Sequence, residues 1–242
     1  MKRIITVFLF ATGFLLFAAQ LVFSQQLPKL LIFSKTNGFR HSSIPVGIAA
    51  IRKLGEANGF LVDATEDSTW FTPEKLNGYA ALIFLSPTGT VFGTAEEQAL
   101  QGYMHQGGGF VGIHAASDCE YKWPWYNKLV GGYFKSHPKQ QKAKLLVINK
   151  NHPSTRMLGD SWERFDEWYN LRDLNPDVTV LIKLDESSYT GGENGDNHPV
   201  CWYHDYEGGK AFYTALGHTD ESYSDPVFLQ HLLGGIQYAM KK

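Results

Sequence analysis

His41, His114 and His218 each stand just beyond a short apolar run, and the chemistry of this chain is expected there. Residues 30–34 lead into Lys35-Thr36-Asn37-Gly38-Phe39-Arg40-His41. Residues 110–114 end on His114 and continue as Ala115-Ala116-Ser117-Asp118, and residues 211–216 lead into Gly217-His218-Thr219-Asp220. In open α/β sheets ligands bind beyond the carboxyl ends of the strands, so three imidazoles would leave one sheet edge together. Imidazole changes charge near neutral pH and ligates metals in its neutral form. Such a group can move protons or hold a divalent ion. Each has a blander reading: His114 and His218 as satisfied core residues, His41 as a solvent-facing side chain at a helix start.

Two further residues join the catalytic candidates. His137 lies in a loop between Ser136 and Pro138, where an exposed loop histidine is the alternative. Glu167 lies among aromatic residues, and partial burial would raise its pKa toward a useful acid–base value. The alternative for Glu167 is an ion pair with Arg164 or Arg172. The candidate catalytic set is therefore His114, His137, Glu167 and His218.

Substrate contacts are sought around them. Arg40 could hold a hydroxyl, carboxylate or phosphate with its fork of donors, or form a surface salt bridge. Asp118 could orient His114 or cap the next helix. Trp123, Trp125 and Trp168 offer flat apolar faces suited to a sugar ring, against a competing role in the core. His41 and His204 complete the binding candidates. Period-2 alternation along Val200-Cys201-Trp202-Tyr203-His204 puts His204 on one face with Trp202.

No HExxH spacing is present, so a metal site would need convergence in three dimensions. No cofactor is certain. A divalent metal, zinc above all, stays open, with His41, His114, His137 and His218 as its possible ligands.

The elements that must position these side chains follow from the pattern of apolar runs. Strands are predicted over 30–34, 60–64, 80–85 and 110–114, and helices over 44–58, stopped by Gly59, and from a Thr94 cap with Glu97 through 106. Continuous apolar runs alternating with helices mean a parallel sheet covered on both faces. The second half is strand-rich (144–148, 178–184, 200–204, 211–216) and closes with a helix over 226–240. A doubly wound sheet with an added antiparallel portion is expected.

Before this domain, Lys2-Arg3 precede an apolar run over 4–23 and then Ser24, with Val22 and Ser24 at the −3 and −1 positions. This is the pattern of a signal peptide over residues 1–24. An uncleaved anchor is the alternative, since the run approaches the ~20 residues that span a bilayer. Cleavage leaves 218 of the 242 residues and takes the formal charge from −2 to −4. An exported protein, periplasmic or extracellular, with no stable membrane partner is expected. Export would put Cys119 and Cys201 in an oxidising compartment; whether they pair or stay as buried thiols is open. The near-zero charge argues against a nucleic-acid partner. With 19% charged and 14% aromatic residues, the composition argues against disorder.

Five segments together carry a resemblance: Asn37-Gly38-Phe39-Arg40-His41, Gly112-Ile113-His114-Ala115-Ala116, Ser136-His137-Pro138, Asp166-Glu167-Trp168-Tyr169 and Leu216-Gly217-His218-Thr219. In this order, over about residues 29–240, the chain resembles the ThuA family, named for trehalose utilisation. The resemblance implies a flavodoxin-like three-layer α/β sandwich related to class I glutamine amidotransferases. It also implies a role in carbohydrate metabolism beside enzymes that make 3-keto sugars. Those amidotransferases carry a nucleophilic Cys in the tight turn where this chain has His114, and Cys119 lies five residues beyond it. A Cys-dependent glutaminase mechanism is therefore not expected.

The favoured reading is an exported enzyme acting on a keto-sugar, a 3-keto hexose or 3-keto glycoside, by His/Glu acid–base chemistry of isomerase or lyase type. Its partner is a small carbohydrate; a homo-oligomer is left open. The rivals are a metal-dependent hydrolase of sugar derivatives and a non-catalytic sugar-binding module. The histidine pair at the elbow and near the chain end favours catalysis, because simple binding needs no such pair.

Overall fold

The computed structural model describes residues 26–241; the expected signal segment, 1–24, lies outside the described residues. The strands are β1 (Lys29–Phe33), β2 (Leu61–Thr65), β3 (Ala81–Leu85), β4 (Gly109–Ile113), β5 (Tyr133–Ser136), β6 (Gln141–Val147), β7 (Ser161–Asp166), β8 (Asn170–Arg172), β9 (Thr179–Asp185), β10 (Pro199–Tyr206) and β11 (Gly209–Thr214). The helices are α1 (Ser43–Asn58), α2 (Pro73–Leu76), α3 (Thr94–His105), α4 (Pro124–Val130) and α5 (Pro226–Ala239).

Nine strands form one sheet in the order β2-β1-β3-β4-β11-β10-β9-β6-β7, and β5 pairs with β8 separately. From β2 to β11 the neighbours are parallel; from β11 through β10, β9, β6 and β7 each pairing is antiparallel. β1, β3 and β4 are apolar and buried along nearly their whole length, as strands covered on both faces must be. The expected mostly parallel sheet with added antiparallel strands is the fold of the chain.

The parallel arrangement puts the carboxyl ends of β1, β4 and β11 on one edge. Three antiparallel steps on from β10, β7 also ends on that edge. In a flat sheet β7 would stand about 19 Å from β11. Yet Asp166, the last residue of β7, accepts hydrogen bonds from the backbone N–H of Gly217 and of His218, both at 3.0 Å. The antiparallel half therefore curls back over the parallel half, and the Arg164 guanidinium of β7 lies over the ring of Phe228 in α5.

Local signals mostly hold. Gly59 ends α1 in the left-handed conformation (φ 75°). At α3 the cap sits one residue earlier than the Thr94–Glu97 pair predicts: Gly93 is the N-cap and its N–H donates to Glu96. Two successive glutamates made the register ambiguous. Cys119 and Cys201 are both buried, free thiols. Among the described residues no helix is long and apolar enough to cross a membrane.

Two buried histidines outside the candidate site give the fold a pH dependence. His231, held by Ser154 O and Thr214 Oγ1, and His152 are each pushed down to about 4, first by burial. Both stay neutral in the folded chain but take up protons in the unfolded chain below about pH 6.5. Their contribution to stability is complete above that pH and falls as pH drops toward 4, by up to about 1.4 kcal/mol per pH unit for each. Denaturant unfolding at pH 7.0 and 5.5 should show the loss; equal stability at both would contradict it.

Candidate functional site

His114 follows the end of β4 with φ +50°, a backbone conformation uncommon for a residue with a Cβ. Such strain persists where the surroundings hold it, often at functional sites. Here the imidazole is wholly buried, and its Nδ1 donates to the carbonyl of Ala215 at 2.8 Å. A carbonyl only accepts, so Nδ1 carries a proton, and Nε2 faces inward. Tyr169 packs on this ring, with centroids 4.2 Å apart.

Inward of His114 the other groups converge. His114 Nε2 lies 3.0 Å from His218 Nδ1 and 3.4 Å from Glu167 Oε2. His218 Nδ1 is 3.0 Å from the same Glu167 oxygen. The other Glu167 oxygen is 3.3 Å from His137 Nδ1. The His41 ring stands edge-on to His114 and His218, at 4.8 and 5.1 Å between centroids. The structure thus brings together His41, His114, His137, Glu167 and His218.

The backbone reasons are specific. Gly217 has φ +101°, and a Cβ there would meet the Tyr223 hydroxyl at 3.0 Å, so the chain can turn sharply after β11 and deliver His218. Asp166, fully buried, holds the N–H groups of Glu167, Gly217 and His218 at 3.0 Å each and pairs with Arg164 at 3.1 Å. It ties the end of β7 to the turn after β11. Arg164 therefore serves Asp166, not Glu167.

Electrostatics departs from expectation at Glu167. Burial pushes its carboxyl up, but the hydrogen bonds and charges of His114 and His218 outweigh that and hold it well below the usual carboxylate range. It is a carboxylate, not the raised-pKa acid expected from burial alone. His41 is pushed down to about 3, first by burial and then by His114 and His218, so its ring is neutral.

Exposure separates roles. His114 is fully buried, whereas the side chains of His218 and His137 are 15% and 43% exposed. A molecule entering from solvent meets His137 and His218 before His114. Beside His218 opens a groove of about 800 Å³, lined among others by Ser42, Gln140, Arg164, Phe165 and Asp220.

Several expected binding residues lie elsewhere. His204 pairs with Ala211 near the start of β11 and so sits toward the opposite edge of the sheet, its Nε2 against Lys128 O. The antiparallel run of β10 puts it there. Trp168 is a core residue, 1% exposed, donating to Gln141 O. Trp125 stacks on Trp123 and donates to Glu207 in the β10–β11 turn, drawing this pair away from the histidines. Asp118 bonds the Tyr121 hydroxyl and leaves the orientation of His114 to Ala215. Arg40 forms a two-pronged pair with Glu66 at 2.7 and 2.8 Å, both about half exposed, the surface salt bridge of the alternative reading.

Residues not singled out from sequence take their places. Phe39, 66% exposed, meets the edge of His41, and Phe165, 48% exposed, lines the groove. Gln140 contacts His218 Nε2 at 2.8 Å. Phe39 lies in the loop between Asn37 and His41, a signal that was available; Phe165 and Gln140 had none.

A family model described as trehalose utilisation, ThuA, matches residues 29–239. A thua-like protein from Bacteroides uniformis is 28% identical with a TM-score of 0.75, the match covering 88% of this chain and 91% of that one. A thua-like protein from Parabacteroides merdae has the same fold at 22% identity and a TM-score of 0.75, over 90% and 91% of the two chains. A protein from Thermoplasma acidophilum described as a GMP synthase subunit shares the fold at 14% identity, with a TM-score of 0.51 over 88% and 96%. No curated protein matches the chain.

Proposed function

The chain belongs to the ThuA family, whose description as trehalose utilisation gives it a carbohydrate-related role, and from that premise we propose that it is an exported enzyme, periplasmic or extracellular, acting on a 3-keto hexose or 3-keto glycoside. The observation that carries the chemistry is the ring of imidazoles around the Glu167 carboxylate, opening through His218 onto a polar groove.

A ketone at C3 acidifies the proton on C2. His137, the most exposed member, removes that proton, and its contact with Glu167 stabilises the imidazolium that forms. The C–H electron pair moves onto the C3 oxygen as an enediolate. The groups at His218 face that oxygen and stabilise its charge. Transfer of the C2 hydroxyl proton to the C3 oxygen, with return of the proton from His137 to C3, moves the carbonyl to C2, an isomerisation. Collapse with expulsion of the C1 substituent, which leaves with a proton from His137, is an elimination. Phe39 and Phe165 offer the apolar faces against which a pyranose ring can rest.

The test follows a 3-keto glucoside by NMR in deuterated water with purified protein. Deuterium entering next to the ketone, followed by isomerised or eliminated product, is the expected result. Neither exchange nor turnover by folded protein would overturn the reading. Metal-assisted hydrolysis of a sugar derivative is the second reading, favoured by the grouping of His41, His114, Glu167 and His218. It would release product without prior exchange at C2.

A further inference from the structure

We propose that His41, His114, His218 and Glu167 form a binding site for one divalent transition metal of the zinc type, with His137 outside the ligand set. One donor atom from each of the four lies within 4.8 Å of all the others. The tighter triangle, His114 Nε2, His218 Nδ1 and Glu167 Oε2, has sides of 3.0, 3.4 and 3.0 Å. Bonds of about 2.0–2.1 Å from a tetrahedral ion separate its ligands by about 3.3 Å. The triangle has the size of one face of such an ion's shell.

The outer hydrogen bonds suit ligation. The Ala215 carbonyl takes the Nδ1 proton of His114 and leaves Nε2 free, the carbonyl–histidine arrangement common behind metal-bound imidazoles. His218 Nε2 faces the side-chain amide of Gln140. The atom placed there is the amide nitrogen, at 2.8 Å; exchanging the amide's oxygen and nitrogen lets Nε2–H donate and frees the Nδ1 lone pair for a metal. His41 supplies an independent sign of a missing partner: the residue is 3% exposed and its Nδ1 has no hydrogen-bond partner.

A shared proton is the competing occupant. One proton on His218 Nδ1 can bridge toward His114 Nε2 and the Glu167 oxygen, but it does nothing for His41. One cation serves all four side chains. Three imidazoles and a carboxylate select a zinc-like metal over magnesium or calcium, which favour all-oxygen shells. The curl of the sheet makes the site, since Glu167 comes from the end of β7 while His114 and His218 follow β4 and β11.

This inference stands on geometry alone and is independent of the keto-sugar reading. The test strips the full-length protein with a chelator, titrates it with Zn²⁺ or Co²⁺, and measures retained metal and the Co²⁺ visible spectrum. One equivalent per chain is expected, with binding weakened at least about 100-fold in His114→Asn and Glu167→Gln, beyond the usual effect of outer-shell changes. His137→Ala should keep the full equivalent. Folded wild-type protein that retains no metal, or binding unchanged in both ligand variants, would overturn the site. Metal retained by protein that shows no deuterium exchange keeps the site and removes the keto-sugar chemistry. Exchange by folded protein that takes up no metal does the reverse.

Discussion

Replacing His114 with Asn should lower turnover of a 3-keto glucoside by about 10²–10⁴-fold, the range in which acid–base groups act, while the protein stays folded. The choice of Asn isolates one ring nitrogen. Its side-chain amide N–H can take the place of Nδ1–H and still donate to Ala215 O, which the native ring does at 2.8 Å. Asn also tolerates the φ of +50° better than most residues. What it removes is Nε2, the atom facing His218 and Glu167 at 3.0 and 3.4 Å. His114→Ala removes both nitrogens and adds backbone strain, so it should lose the same activity and more stability. Because His114 is wholly buried, the loss should fall on kcat with KM little changed, and the pH–rate profile should alter because the partners of His218 and Glu167 have changed. A folded His114→Asn protein with wild-type kcat would take Nε2 out of the chemistry.

The parallel half of the fold is legible because its strands are buried on both faces, so their sequences are near-continuous apolar runs such as Phe110-Val111-Gly112-Ile113. The parallel rule then carries His41, His114 and His218 to one edge without further information. β7 gives no such signal. Its sequence, Ser-Trp-Glu-Arg-Phe-Asp, mixes charged and apolar residues on an outer strand of the sheet. β5 and β8 are too short to stand out. The curl that returns β7 to the turn after β11 depends on long-range contacts, so neither the role of Asp166 nor the contact of Gln140 with His218 could be read locally. The tryptophans mislead for a simple reason. A residue type that suits a sugar face suits a core equally well, and Trp168 is used in the core. The pKa of Glu167 misleads in the other direction: burial is visible in its aromatic neighbours, but the two histidines that outweigh it are distant in sequence.

Asp166 is where fold and site are joined, and Asp166→Asn should have the largest effect on stability of any single isosteric change near the site. One carboxylate oxygen accepts from the N–H of Glu167 and of His218; the other accepts from Gly217 N–H and faces Arg164 at 3.1 Å. An amide has one accepting oxygen, so its NH₂ end must point at a donor. Arg164, itself 8% exposed, then loses its buried counter-charge. Breaking a buried pair from one side costs about 3–5 kcal/mol, which denaturant unfolding would measure directly. Stability alone does not make Asp166 a positioning residue, so the second readout is kinetic. At a temperature and denaturant-free condition where the variant is folded, kcat should still fall, because the backbone of Glu167 and of His218 is no longer held. Asp166→Glu, which keeps the charge but shifts the oxygens, should recover stability in part and leave kcat low. A folded Asp166→Asn protein with undiminished kcat would reduce Asp166 to a structural ion pair, and a change in unfolding free energy below about 1 kcal/mol would contradict the tie between β7 and the turn after β11.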